Sequence, residues 1–124
     1  SPYDPNAECG AIADKVAPTA GEVVVVKHYP NSFVGTDLDT CLKAAGVKNL
    51  VVAGFMTHMC INSTTRGAFN LGYAVTVPAA ATATRALAAP DGSVVEAAAL
   101  QVAALTALAD LFAVVVADAA AIPD

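Results

Sequence analysis

A chain of 124 residues fits one domain, taken as residues 1–124, and is long enough to bury a core. Apolar residues make up 56% and charged residues 14%, which excludes intrinsic disorder, a collagen-like repeat and a highly charged coiled coil. Six Lys and Arg against eleven Asp and Glu leave a net charge of -5, the wrong sign for gripping phosphate backbones, so nucleic acid is not an expected partner.

Three cysteines (Cys9, Cys41 and Cys60) with no CxxC pair, and only two histidines, argue against a disulfide framework and a zinc knuckle. A reducing, cytoplasmic compartment is the expectation. Residues 97–117 are apolar enough in length to span a bilayer. Asp110 stands inside that stretch, however, where an acid costs about 2.5–3.5 kcal/mol, and no Lys or Arg lies close by. No membrane partner is therefore expected, and the Ser-Pro-Tyr-Asp-Pro opening shows no basic leader of a signal peptide.

In chain order, the Pro-rich residues 1–18 read as irregular chain or a short helix. Residues 23–26 are a wholly apolar Val run ending at Lys27, the pattern of a parallel strand buried on both faces. Thr36 opens a helix over residues 36–45, with Leu38, Cys41, Leu42 and Ala45 at helical spacing and Gly46 closing it. A second buried strand is predicted over residues 49–54, a helix over 60–71 closed by Gly72, and a third strand over 73–77. Residues 79–89 read as a loop over the sheet edge. An Ala-rich helix over 94–109 and a Val-rich strand over 111–116 repeat the unit. Strands alternating with helices predict an α/β fold, three-layered, with a mainly parallel sheet.

The segment Gly54-Phe-Met-Thr-His-Met-Cys60 joins a predicted strand to a predicted helix, which puts Cys60 near a helix N-terminus at the carboxyl edge of the sheet. Helix N–H groups and the helix dipole favour a thiolate there. A small buried apolar residue suits the same position. Lys27 at a strand terminus reads by itself as a side chain reaching for water. If the two strands are parallel neighbours, though, its ammonium and the Cys60 thiol emerge together, which is how a cysteine nucleophile is activated.

Five blocks in order, Lys27-His-Tyr-Pro-Asn-Ser-Phe33, Gly35-Thr-Asp-Leu38, Gly54-Phe-Met-Thr-His-Met-Cys60, Thr64-Thr-Arg-Gly-Ala68 and Leu71-Gly-Tyr73, resemble the isochorismatase-like cysteine hydrolase family. The resemblance implies a Rossmann-like α/β/α fold and a catalytic triad of Cys, Lys and Asp. Its Cys falls on Cys60 and its Lys on Lys27. A non-proline cis peptide would fall at Phe55–Met56, and the backbone N–H groups of Met56 and Cys60 would form the oxyanion hole. Its Asp lies on a strand upstream of the Lys, and Asp4, Glu8, Asp14 and Glu22 sit in a Pro-rich stretch that does not match it. The expectation is therefore a fold incomplete at its N-terminal side. A missing N-terminal segment or other subunits, in a homo-oligomer, would cover the exposed apolar surface.

Tyr29, Phe33 and Phe55 flank the motifs and are placed as walls of a substrate pocket, and His58 as a substrate contact or proton carrier, with core and interface roles as the alternatives. His28 with His58 is too little for a metal site, so neither metal nor cofactor is expected. Arg66 is placed in a salt bridge or subunit contact. The implied activity is hydrolysis of a C–N bond in a small molecule. The alternatives are vinyl ether hydrolysis and a non-catalytic oligomeric or binding module on the same scaffold.

Overall fold

The computed structural model describes Asp4 and residues 6–124. After two short 3-10 turns, Glu8–Gly10 and Asp14–Val16, the chain runs through α1 (Leu38–Ala44), β1 (Asn49–Val51) and β2 (Gly54–Phe55). A π-helical turn, Thr57–Ile61, then leads into α2 (Asn62–Asn70). The remainder is β3 (Ala74–Pro78), β4 (Thr82–Ala83), β5 (Leu87–Ala88), β6 (Val94–Val95), α3 (Ala97–Leu111) and β7 (Val114–Val116).

The main sheet has the order β1-β3-β7 with both pairings parallel. β2 pairs in parallel with β4, and β5 with β6 makes an antiparallel hairpin. This is the expected α/β fold with a mainly parallel sheet. Its helices stop where the residues said they would. Val47 N–H returns to Leu42 O after Gly46, and Tyr73 N–H returns to Ala68 O after Gly72, each at 3.0 Å. Both glycines hold positive φ, the left-handed closure that suits a residue without a Cβ.

One apolar cluster holds these elements together: Ile61 from the π turn, Ala68 from α2, Val75 and Val77 from β3, Leu105 and Leu108 from α3, and Tyr73. Leu108, Val77 and Ala68 are fully buried. At Ala68 the small side chain lets α2 lie close on β3. Tyr73 stacks on Phe33 with ring centroids 5.9 Å apart, and its hydroxyl donates to Asp39 Oδ1 at 2.6 Å. Arg66 forms no salt bridge among the described residues. Its guanidinium carbon sits 4.2 Å over the Phe112 ring, and its Nε donates to Asn62 Oδ1.

Five local expectations are corrected. The buried strand expected over 49–54 ends at Val51, which is exposed, and Gly54–Phe55 pairs with β4 outside the main sheet. Residues 23–26 form no strand, and Val23, Val24 and Val26 are exposed. An apolar run makes a parallel strand only with a partner on its flank, and none lies there among the described residues. The last helix begins at Ala97, because Val94 and Val95 pair with Leu87 and Ala88 across an Asp91-Gly92 turn. The expected strand over 111–116 is confined to Val114–Val116, since Leu111 ends the helix. Residues 79–89 contain two short strands rather than loop alone. Among the described residues, no helix is long and apolar enough to cross a membrane.

Two measurements check this packing. Leu108→Ala is expected to destabilise the chain by about 2–5 kcal/mol in urea unfolding, while Ala in place of exposed Val102 changes stability by less than about 0.5 kcal/mol. The second concerns pH. The Asp39 hydrogen bond, then burial, push the Tyr73 hydroxyl up to about 12, while the hydrogen bonds from Lys43 and Tyr73 hold the Asp39 carboxyl below its usual range. A raised folded pKa stabilises below the unfolded value near 10 and is lost as pH climbs from there to about 12. Tyr73→Phe should be less stable than the parent at neutral pH. The gap in unfolding midpoint between the two should close over that alkaline window.

Candidate active site

The sequence around Cys60 folds as a strand end, a tight reversal and a helical start. β2 stops at Phe55, the Phe55–Met56 peptide is cis, and the π turn begins at Thr57. Met59 N–H and Ile61 N–H both donate to Met56 O, at 3.0 and 3.2 Å, so the turn wraps around the Met56 carbonyl. Cys60 lies in this opening turn, near the N-terminus of α2 as expected, although the regular helix begins at Asn62 and not at residue 60. Turns of this type recur at functional sites because the extra residue re-aims the side chains around it.

Lys27 arrives from the other side. Its Nζ lies 3.4 Å from Cys60 Sγ and donates to Tyr29 O at 2.9 Å and Pro30 O at 3.3 Å. Both side chains are half-buried at a cleft of about 360 Å³ lined by Lys27, His28, Tyr29, Pro30, Phe55, Met56, Met59 and Cys60. The four upstream carboxylates, all among the described residues, make no salt bridge to Lys27. Asp4 accepts from Asn6 N–H and Glu22 from Thr19 N–H, while Glu8 and Asp14 are exposed members of the early 3-10 turns. Among the described residues the ammonium has no carboxylate within salt-bridge distance, and the ion pair found there is Lys43–Asp39.

Tyr29 and Phe55 line the cleft and are 58% and 75% exposed. Phe33 does not line it. Its ring is taken up by Tyr73 and the edge of the core. His58 turns away too, its Nδ1 lying 2.6 Å from Thr84 Oγ1, just past β4. Sequence reasoning missed His28, weighed only as a metal ligand, along with Pro30 and Met59. Their signal was adjacency to Lys27 and Cys60, which counts only once the two segments are known to meet. No group of three or more metal-capable side chains occurs among the described residues. The other thiols differ from Cys60: Cys9 is exposed, and partial burial followed by the Asp37 charge pushes the Cys41 thiol up.

Comparison with known proteins now bears on this geometry. The Isochorismatase domain model matches residues 3–120. The chain belongs to the isochorismatase family. It is 47% identical over 89 residues to the family protein YddQ of Bacillus subtilis, covering 72% of this chain and 49% of that protein. It is 40% identical over 72 residues to the ureidoacrylate amidohydrolase RutB of Stutzerimonas stutzeri, covering 58% of this chain and 29% of RutB. The crystal structure of an isochorismatase from Pseudomonas putida superposes with a TM-score of 0.91 at 38% identity, over 97% of this chain and 61% of that one. The chain thus spans about half of YddQ and three-fifths of the Pseudomonas structure.

The two aromatic settings predict opposite phenotypes. Phe33→Ala should lower stability by about 1–3 kcal/mol in urea unfolding, through loss of the Tyr73 stack and of core contact. Phe55→Ala should leave stability within about 0.5 kcal/mol, because most of the ring already faces water.

Proposed function

We propose that this isochorismatase-family chain carries the nucleophile of a hydrolase that cleaves a C–N bond of a small amide-type substrate through an acyl-enzyme on Cys60. The observation that carries the reading is the 3.4 Å approach of the Lys27 ammonium to Cys60 Sγ at the mouth of an open cleft. A positive charge donating a hydrogen bond to sulfur stabilises the thiolate relative to the thiol, and the thiolate is the nucleophile. The relative named an amidohydrolase supports the C–N assignment.

In this mechanism the sulfur attacks the substrate carbonyl carbon, forming a C–S bond and moving the π pair onto oxygen. The N–H groups of Met56 and Cys60 receive that oxyanion, and a single donor of this kind contributes about 3–4 kcal/mol to the barrier reduction. The adduct collapses with cleavage of the C–N bond. The leaving nitrogen takes a proton from Lys27, the acid hydrogen-bonded to the sulfur. Lys27 recovers a proton from the incoming water, whose oxygen displaces the thiolate and releases the acid. Tyr29 and Phe55 flank the substrate, while Phe33 and His58 have no place in this cleft. Ether cleavage without the thiol is the second reading, and what tells against it is the Lys27–Cys60 contact, for which that chemistry has no use.

Timed alkylation with iodoacetamide at neutral pH, read by peptide mass spectrometry, is the test. An ordinary thiol is only a few per cent thiolate there, so Cys60 should react about tenfold or more faster than Cys41, and Lys27→Met should remove most of that advantage. Equal and slow labelling of the two thiols would sink the reading. With a turned-over substrate, Cys60→Ala should abolish activity, and turnover that survives it would establish the ether-cleaving alternative.

A further inference from the structure

Resting on the reading of Lys27 and Cys60 as the reacting pair, we propose that Thr64 is a positioning residue that sets the Lys27 ammonium against the Cys60 sulfur without touching either. Thr64 follows Cys60 by four residues in the same continuous helical segment, so the two side chains rise from one face, a turn apart. Its side chain is buried, and its hydroxyl is saturated by one loop. Ser32 N–H donates to Thr64 Oγ1 at 3.0 Å, Ser32 Oγ lies 3.0 Å away, and Thr64 Oγ1 donates to Pro30 O at 3.3 Å. A hydroxyl has one proton and two lone pairs. With its proton on Pro30 O, it accepts from Ser32 N–H and from the Ser32 hydroxyl, and all its capacity is spent on residues 30–32.

The same loop holds Lys27. An ammonium has three donors, and here they meet Tyr29 O, Pro30 O and Cys60 Sγ. Pro30 O is therefore shared between the Lys27 ammonium and the Thr64 hydroxyl. The circuit closes from Cys60 along one helical turn to Thr64, across to Pro30, on to Lys27 and back to sulfur. Neighbouring contacts press the loop onto the same helix. Asn31 packs against Gly67, where a Cβ would lie 2.6 Å from Asn31 Nδ2, and Asn31 Oδ1 accepts from Phe33 N–H. Thr36 Oγ1 donates to Ser32 O at 2.6 Å. The carbonyls that hold the ammonium and the groups that hold Thr64 belong to one loop, so the distance from nitrogen to sulfur follows how firmly this loop is seated on α2.

The test uses the whole chain and the rate of Cys60 alkylation at neutral pH. Thr64→Val keeps the branched shape and removes the hydroxyl, and should slow Cys60 about two- to tenfold, the effect of losing a neutral hydrogen bond in the network. Thr64→Ser, which restores the hydroxyl, should return the rate to within about twofold of the parent. In a Lys27→Met background, Thr64→Val should have no further effect, because residues acting through one another are not additive. A merely structural role would give the same fractional loss in both backgrounds. If Thr64→Val unfolds, Ser32→Ala, which takes one donor from Thr64 and lies outside the helix, replaces it with the same expected direction. An unchanged rate in the folded Thr64 or Ser32 variant, or an equal loss with and without Lys27, overturns the proposal. Slowing by Lys27→Met but not by Thr64→Val defeats this assignment alone, whereas parental Cys60 reactivity in Lys27→Met defeats the underlying reading of the pair as well.

Discussion

The site depends on one coordination problem: where the three N–H donors of the Lys27 ammonium go. Two end on main-chain carbonyls, Tyr29 O and Pro30 O, and the third on Cys60 Sγ. Carbonyls orient an ammonium without neutralising it. Both carbonyls belong to the loop that follows Lys27, so the placement of the nitrogen depends on how residues 30–36 pack on α2.

The scaffold delivers the sulfur in a comparable way. β2 is only two residues long, yet its pairing with β4 fixes the backbone just before the cis Phe55–Met56 peptide. From there the π turn holds the Met56 carbonyl with two N–H groups. Ile61 and Ala68 sink the continuing helix into the core against Val75, Val77 and Leu108. Cys60 thus stands where a buried helix begins, one face anchored in hydrocarbon and the other open to the cleft. His58 strengthens the same junction through Thr84, and Gln101 of α3 donates to Thr82 Oγ1 on β4. For His58, read as a substrate contact or proton carrier with core and interface roles as alternatives, the observed contact is a structural one that ties the turn carrying Cys60 to the end of β4.

What could be read from the residues divides along physical lines. Helix closures at Gly46 and Gly72 and the strands around Leu50 and Val75 follow from local signals, a left-handed cap and an apolar run. The meeting of Lys27 with Cys60 is expected from two parallel strands ending at one sheet edge; it occurs, but with no strand over residues 23–26 to deliver it. The last helix starts three residues later than expected because Val94 and Val95 suit a strand as well as a helix, and Glu96, the N-cap residue, separates them from the Ala-rich run. The Pro90-Asp91-Gly92 turn just before them returns the chain into the hairpin. Phe33 and Phe55 could not be told apart, since an aromatic ring at a sheet edge fits a pocket wall and a core margin equally well. Tyr73, distant in sequence, decides it for Phe33. The cis peptide has no signature in composition or periodicity and was visible only through family resemblance. The π turn had no signal at all.

The Val23–Val26 segment shows how a correction in the fold changes the account of the site. Had it been a strand locked into the sheet, Lys27 would have inherited its position from a ladder of backbone hydrogen bonds, and the loop beyond it would have been incidental. Instead the segment has no regular structure and no strand partner among the described residues, with three of its four valines exposed. In the main sheet, the face away from the core likewise presents Val51 and Val114 on either side of Thr76, at 53% and 60% exposure. The main chain leading to Lys27 is thus held less tightly than the main chain leading to Cys60. Among the described residues, the Cys60 sulfur is fixed from within by the hydrophobic core and the Lys27 ammonium from outside by two carbonyls, one of which also accepts from the Thr64 hydroxyl. That asymmetry makes the nitrogen-to-sulfur distance more sensitive to the polar contacts of one loop than to the packing of the core.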